Sequence, residues 1–471
     1  MTNTAGGRLS GSVSRSEPEV RDRTWVVAFS VLAIFAWLAL MWLALPSTFR
    51  GDDWDLIHGR SLNDIPSLLR PFNEQWVLVP AVVFRSIFAV FGLSSYLPYL
   101  AVLLTFHVVA AAAVARLVRE TSGQVPAVVA GAIVLMLGTG NENLAQAFQI
   151  GMVIAVAAGL WAIAVAWLNQ WHGLAAILMT VALASHLIAL PFLAACLSLA
   201  VLRPSSRIRS VLWYLLPTAA FAAWVVLFDL PSLAGRGGST GLSLMAVPGV
   251  AIAGPVAAAG AIFDTGVQGG VLVVGGLVAL AIVMARRPAR PELAIAALVA
   301  VVLEYAAVGV SRGSLGLGVI LWSRYLYAAV PLVLVAIGAW FGTLPAVTNP
   351  WRRRLAVGLL AVGVVAVVAN VRAYARDRTL LTDFSSRERA AVAILTRMDG
   401  TRPPTFDVHI PSAQDLRMLV RDHGTPLRDG IIPGLVAPPP AELAREVCIE
   451  LLPPNAVDTC VDVVATSVGR P

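Results

Sequence analysis

The segment WVVAFSVLAIFAWLALMWLALPSTFRGDDWDLIHGRSLNDIPSLLRPFNEQW (25–76) joins a long apolar run to a strongly charged loop. Residues 25–45 contain no charged side chain and are long enough to cross about 30 Å of hydrocarbon as one α-helix. The ionisable side chains in and beside the loop are Asp52, Asp53, Asp55, Asp64, Glu74, Arg50, Arg60, Arg70 and His58. We therefore predict a first transmembrane helix followed by an acidic loop at the membrane edge.

The acidic loop has two interpretations. Mutual repulsion and partial burial can raise the pKa of one carboxyl group in such a cluster, and that group then becomes an effective proton acceptor near neutral pH. The alternative is a solvated connection between two helices. Because the loop also carries Trp54, Phe72 and Trp76, which a purely solvated connection does not need, we favour a functional site.

Composition excludes an ordinary soluble protein. Hydrophobic residues make up 58% of the chain and charged residues 13%, about half the charged fraction of soluble domains. Apolar runs of roughly 20 residues recur between Trp25 and Arg372 without strand-like alternation, so we predict an all-α polytopic membrane protein with about eleven transmembrane helices. We expect the chain in the cell membrane (inner or plasma membrane), and the arginines between the runs predict a cytoplasmic N-terminus and an extracytoplasmic C-terminus. The net charge of +7 fits contact with anionic lipid headgroups and does not indicate nucleic-acid binding.

Three parts of the chain differ in composition. Residues 1–24 are rich in Ser, Gly and Arg and are predicted to form a disordered cytoplasmic leader. Residues 25–371 form the predicted transmembrane domain, in which the first outer loop, 46–95, contains the acids and an interfacial helix at 77–91. Residues 372–471 contain more Asp, Glu, Arg and Pro, and we expect them to form a small extracytoplasmic α/β or α+β domain.

Some segments allow more than one interpretation. Residues 173–202 could form one kinked span, but we favour two short helices because they keep the following arginines in the cytoplasm. The apolar middle of 229–270 is then expected in the interface, whereas it must cross the membrane if 173–202 is a single span. In the C-terminal domain we expect a helix at 383–398 and short strands at 405–410 and 461–465.

The three cysteines divide into two groups. Cys196 lies in an apolar run and is expected to be a small core residue. Cys448 and Cys460 lie close together in the polar tail, without the additional Cys or His residues of a zinc site. If the tail faces an oxidising compartment, this pair is expected to form a disulfide.

An apolar first helix, an outer loop that opens with the paired acids Asp52 and Asp53, and an interfacial helix resemble the integral-membrane glycosyltransferases of the GT-C superfamily. The pair Arg324 and Tyr325 at the outer start of a late helix, and the soluble C-terminal tail, are also similar. The resemblance implies a polyprenyl-phosphate-linked sugar donor, a catalytic acid of the first loop beside the acceptor, and an inverting displacement. The implied acceptor is a glycan, lipid or protein of the cell envelope on the outer face of the membrane.

The chemistry of such a transfer suggests roles for individual residues. A base must take the proton of the acceptor hydroxyl, and cations must bind the departing phosphate at the membrane interface. Asp53 is the first candidate for the base and Asp52 the second. Arg324, Arg312 and Arg85 are candidates for phosphate binding, although interfacial arginines also serve as simple headgroup anchors.

The remaining candidates for substrate binding are Asn73, Glu74, Trp76, Tyr325 and His58. Trp76 could stack on a sugar ring, or it could anchor the helix that begins there. The alternative role of His58 is that of a hydrogen-bonded structural residue. Asp53 and Asp55 also form a short DxD pattern that could bind a divalent cation, the one cofactor that we consider.

Glu304 falls inside a predicted span, where an ionisable residue is a functional candidate by default. It motivates a different class of function, in which a transporter or flippase of a lipid-linked or envelope precursor uses Glu304 for a proton or a headgroup. The sequence shows no matching pair of broken helices that would indicate inverted repeats. A third possibility is a noncatalytic envelope-assembly partner with the same architecture.

Overall fold

The computed structural model describes residues 16–168, 171–203, 207–230, 244–283, 288–342, 349–399, 401–407, 409–432 and 435–468. Within these residues all regular secondary structure is helical, and an isolated bridge between Phe72 and Gln75 is the one extended pairing. The prediction of an all-α chain is therefore confirmed for the transmembrane part.

The described residues up to Leu202 form ten α-helices. They are α1 (Ser16–Ala44), α2 (Asp52–His58), α3 (Ile65–Leu69), α4 (Leu78–Phe91), α5 (Leu97–Ser122), α6 (Gln124–Leu135), α7 (Glu142–Ala145), α8 (Ile150–Leu168), α9 (His172–Leu183) and α10 (Leu190–Leu202). Helix α1 begins at Ser16, inside the segment 1–24 that we predicted to be disordered, so that boundary is corrected. Residues 1–15 lie outside the described residues.

The described residues of the second part continue the helical pattern. Their α-helices are α11 (Arg207–Trp224), α12 (Val247–Ala261), α13 (Gly266–Val283), α14 (Pro291–Arg312), α15 (Ser323–Phe341), α16 (Asn349–Arg397), α17 (Ala413–His423), α18 (Ala441–Leu451) and α19 (Val457–Ser467). Helix α11 continues as one turn of π-helix at Val225–Asp229.

Among the described residues, eight helices are long and apolar enough to cross a membrane, fewer than the eleven or so predicted. Several predicted spans correspond to shorter apolar helices, including α6, α9 and α10. Leu244–Ala261, which we expected in the interface, is one of the eight longer ones.

The segment Ala147–Leu168 is the most enclosed of the eight candidate spans, because 94% of its most apolar stretch is buried inside the protein. A Cβ at its Gly159 would lie 2.6 Å from the ring of Phe192, so a small residue here allows close helix packing.

Helices α9 and α10 form a hairpin whose tip lies inside the bundle. Helix α9 starts shortly after α8 ends, and the Arg203 guanidinium donates to Trp167 O at 2.7 Å, so both ends of the hairpin lie beside the end of α8. The tip, residues 184–189, lies beside the start of α4, where Val79 N donates to Ala184 O at 3.0 Å. The prediction of two short helices in 173–202 is therefore confirmed.

Helix α16 runs unbroken through the predicted boundary between the transmembrane and C-terminal domains. It contains 49 residues and rises about 73 Å, so it includes both the last predicted span and the predicted helix at 383–398. Its last turns contribute buried apolar residues, such as Ala390 and Ile394, to the core beneath the C-terminal helices.

The regular secondary structure of the described C-terminal residues is all helical, so the α/β or α+β prediction is not supported. The predicted strand 461–465 lies inside α19, and the described residues of 405–410 form no strand. The valine-rich sequence suggested a strand, but the buried residues Val457, Cys460 and Val464 follow helical spacing, and packing decided the outcome.

A disulfide joins Cys448 of α18 to Cys460 of α19, the pair expected from the sequence. Both residues are fully buried, and their Cα atoms are 6.0 Å apart. Cys196 is a free, buried cysteine of α10. The bridge therefore fixes the angle between the last two helices in a domain with a small core.

We expect the double variant Cys448→Ser, Cys460→Ser to destabilise the α18–α19 pair by about 2–4 kcal/mol, because the cross-link restricts the unfolded chain. Limited proteolysis should then cleave within 441–467 faster than in the wild type, with the transmembrane helices unaffected. The variant Cys196→Ser is the control, since it removes a thiol without removing a cross-link. Equal cleavage rates in the double variant and the wild type would contradict the expectation.

Candidate active site

A cavity of about 300 Å³ lies at the end of the bundle where α8 begins. Its walls come from α2, the turn before α4, the start of α8, the tip of the α9–α10 hairpin, and the facing ends of α14 and α15. Seven residues selected from the sequence line it: Asp52, Asn73, Glu74, Glu304, Arg312, Arg324 and Tyr325. Segments that are distant in the sequence therefore converge on one site.

Two arginines reach the cavity from neighbouring helix ends. Arg312 ends α14, and Arg324 lies in the first turn of α15. Arg324 forms an ion pair with Glu142 and lies over the Trp322 ring, 5.6 Å from its centroid. This pairing orients Arg324, and both arginines line the cavity, where they could bind an anion.

The start of α15 is held by the segment that precedes α8. Glu142 N donates to Ser323 Oγ at 3.1 Å, and Ser323 Oγ in turn donates to Asn141 Oδ1 at 3.1 Å. Asn143 Nδ2 donates to Ser323 O at 3.4 Å. The polar segment 138–149 therefore fixes the helix end that carries Arg324, without itself providing the cavity cations.

The paired acids of α2 point in different directions. Asp52 lines the cavity, and burial raises its pKa, while the positive charges of His409 and Arg324 act in the opposite direction. Asp53 is fully buried outside the cavity, where its Oδ2 accepts hydrogen bonds from Arg50 N at 3.0 Å and Tyr96 Oη at 2.9 Å. Burial raises the pKa of Asp53 to about 7. The structure therefore favours Asp52 over Asp53, our first candidate, as the carboxylate that a ligand can reach.

A tight two-residue turn carries Asn73 and Glu74 into the cavity. Phe72 and Gln75 exchange two backbone hydrogen bonds across it, and the φ angles are +47° at Asn73 and +64° at Glu74. Positive φ is acceptable for Asn but costs about 1 kcal/mol or more for Glu. A strained Glu at the wall of the cavity is better explained by a requirement for its side chain there than by the stability of the turn.

We expect Glu74→Gly to keep or slightly raise the free energy of unfolding, by up to about 1 kcal/mol, because glycine adopts positive φ without strain. Thermal unfolding in detergent micelles measures this change. The variant Glu74→Gln is the matched control, since it keeps the strained backbone and the side-chain length but removes the charge. A clear loss of stability in Glu74→Gly would show that the Glu74 side chain supports the turn.

The C-terminal domain contributes His409 to the acidic helix, a residue that the sequence analysis missed. His409 Nδ1 lies 2.6 Å from Asp55 Oδ2, and its Nε2 lies 3.6 Å from Asp52 Oδ1. Asp407 supports this contact, because its two oxygens accept from His409 N at 2.9 Å and Gly51 N at 2.6 Å. The Asp-Val-His sequence at 407–409 was the available signal, but nothing in the sequence connected it to α2.

The contact of His409 with α2 changes which residues could bind a metal ion, since the sequence predicted Asp53 and Asp55. Asp53 and Asp55, two residues apart, point to different sides of α2, whereas Asp52 and Asp55, three residues apart, share a face. Asp52, Asp55 and His409 offer ligand atoms that all lie within 4.8 Å of one another. These three residues, and not Asp53 with Asp55, are the ones that could hold a divalent ion.

We expect the docking of the C-terminal domain on α2 to weaken as pH rises. Burial opposes protonation of His409, but the carboxylates of Asp55, Asp52 and Asp407 outweigh it and raise the pKa above the ordinary 6.5. The pKa of His409 is therefore higher in the folded state than in the unfolded state. Protonation of His409 contributes its full stabilisation below about pH 6.5, and this contribution is lost as pH rises through the pKa of the folded state.

Hydrogen exchange of residues 52–58 and 405–415 between pH 5.5 and 8.5 measures this docking, after correction for the intrinsic pH dependence of exchange. The variant His409→Asn should remove the additional dependence, and His172→Asn, in α9 and in contact with Tyr214 of α11, is the control. If His409→Asn and the wild type show the same pH profile, His409 does not control the docking.

Three candidates lie outside the cavity, in structural contacts. Arg85 hydrogen-bonds to Ile57 O and lies over the Phe88 ring, 4.6 Å from its centroid, so it joins α2 to α4. Trp76 is buried and stacks on Trp224 with ring centroids 5.8 Å apart. His58 lies 3.8 Å from Asp415 at the surface. In this structure these three residues contact other parts of the protein and do not line the cavity.

Comparison with known proteins adds no further assignment. No protein-family model, no curated protein and no solved structure matches this sequence. The functional interpretation therefore depends on the geometry of the cavity and on the chemistry of the residues that line it.

Proposed function

We propose that this chain is a GT-C-like membrane glycosyltransferase that moves a sugar from a polyprenyl-phosphate carrier to an acceptor of the cell envelope. The acceptor is a glycan, lipid or protein at the outer face of the plasma membrane. The observation that carries the proposal is the single cavity in which a reachable carboxylate, Asp52, and two arginines, Arg312 and Arg324, line the same space.

The proposed reaction assigns each charged group a step. Asp52 takes the proton from the acceptor hydroxyl, and the acceptor oxygen forms a bond to the anomeric carbon of the donor sugar. The bond between that carbon and the phosphate oxygen breaks, and the phosphate leaves with the electron pair. Arg312 and Arg324 stabilise the negative charge that develops on the leaving phosphate.

The position of the cavity supports a lipid-linked donor. It lies at the end of apolar helices, so a carrier phosphate can contact the arginines while its hydrocarbon tail remains among the helices. Both C-terminal cysteines are joined by a disulfide, which supports an oxidising, extracytoplasmic environment for the domain that contacts α2. We therefore propose that the cavity faces outward.

Glu304 supports a second candidate function. Its carboxyl group is buried inside a span without a cationic partner among the described residues, as in proton-coupled transporters. Counterflow of a lipid-linked precursor in sealed vesicles that requires Glu304 would favour transport over transfer.

We expect Asp52→Asn to lower turnover by at least about 100-fold, because the acceptor hydroxyl then lacks its base. The assay incubates the purified chain with polyprenyl-phosphate sugars and extracted envelope glycan, and it measures the polyprenyl phosphate released. Asp53→Asn is the matched control: it is one residue away and buried, so it should lower stability more than turnover of the folded fraction. Full turnover by Asp52→Asn would exclude Asp52 as the base.

A further inference from the structure

Helix α14 lines the cavity from Arg312 at the helix end to a second polar residue, Glu304, further along the helix. One face of this helix lines the cavity with residues at helical spacing, namely Glu304, Ala307, Val308, Ser311 and Arg312. Glu304 and Arg312 are eight residues apart, which corresponds to about 12 Å along the helix axis. A ligand whose phosphate contacts Arg312 therefore has room to extend inward toward Glu304.

The Glu304 carboxyl group lacks a partner within the described part of the chain. The residue is 1% exposed, and neither carboxyl oxygen forms a hydrogen bond there. A buried carboxyl group without a hydrogen-bond partner is unfavourable, and membrane spans retain such groups mainly where they serve function. A hydrogen-bonding group from a ligand in the cavity would remove this cost.

Other polar groups lie on the cavity wall near the hairpin tip. Gln149, at the start of α8, is 5% exposed and lines the cavity, as does His186. His186 Nδ1 accepts from Ile188 N at 3.0 Å, so in the neutral ring the proton is on Nε2, which can donate. Besides the arginines, the cavity wall therefore offers both donors and acceptors of hydrogen bonds.

These groups distinguish between the two parts of a carrier-linked sugar. An isoprenoid tail cannot hydrogen-bond, so it would leave the Glu304 carboxyl group unsatisfied. A glycosyl unit presents several hydroxyl groups, which can donate to the Glu304 carboxyl group and accept from the His186 ring. The inner part of the cavity is therefore chemically suited to the sugar.

We propose that Glu304 is a specificity residue that accepts a hydrogen bond from a hydroxyl group of the donor sugar. This inference rests on the proposed transferase function and deepens it, because it assigns the inner end of the cavity to the glycosyl unit. Glu304 then takes no part in the proton transfer that is assigned to Asp52.

The test measures binding without turnover. The full chain in lipid nanodiscs is titrated with decaprenyl phosphate and with two of its monoglycosyl esters, one hexosyl and one pentosyl. The wild type should bind at least one ester about tenfold or more tightly than the bare phosphate. Glu304→Leu should lose this preference and keep its affinity for the bare phosphate, because a buried sugar hydroxyl group left without its partner costs about a factor of ten in affinity.

The controls separate the possible failures. Leu303→Ala changes the neighbouring residue, which is 44% exposed at the outer surface of α14, and should leave both affinities unchanged. If Glu304→Leu weakens the bare phosphate and the ester equally, Glu304 has a structural or tail-binding role and the inference is wrong. If the ester and the bare phosphate bind the wild type equally, the inference is also wrong, but the proposed function stands. If the wild type binds none of the probes, both proposals are overturned.

Discussion

Inside hydrocarbon, every backbone N–H and C=O group must find a partner within the protein, and this constraint shapes the whole bundle. Long helices satisfy it over most of the chain. The breaks at 136–149, 184–189 and 313–322 are therefore informative, because a break is tolerated only where it is buried in protein or lines a cavity. Parts of the first two breaks line the same cavity, and the third joins the two helix ends that supply Arg312 and Arg324. The interruptions of the helices therefore help to form the candidate site.

The acidic helix α2 connects the bundle to the C-terminal domain. On one side Asp53 accepts from Tyr96, whose hydroxyl also accepts from Ala147 N at 2.7 Å, so α2 is fixed to α5 and to the segment before α8. On the other side Asp55 contacts His409. Around the helix axis Asp52 lies between Asp53 and Asp55, and it lines the cavity. Neighbouring carboxylates on one helix therefore serve different purposes, because the helical rotation of about 100° per residue directs them to different surroundings.

Much of this arrangement could be predicted from the sequence. Apolar run length and arginine position predicted the helical membrane fold, and the presence of charge in an apolar chain was enough to select Asp52, Arg324 and Glu304. The sequence could not decide between Asp52 and Asp53, because their difference depends on the rotation of a seven-residue helix. It could not find His409 either, since the contact of that residue with α2 joins segments more than 350 residues apart. In α19, intrinsic strand preference was overridden by packing around Cys460.

Helix α16 has a mechanical consequence. Because its 49 residues form one continuous rod, the part in the bilayer and the part beneath the C-terminal helices can only tilt together. A tilt of 5° at one end moves the other by about 6 Å, given a rise of 1.5 Å per residue. Packing against neighbouring helices and side chains at the interface set the tilt of such spans. Contacts of α16 inside the bundle therefore also determine where the core beneath the C-terminal helices lies.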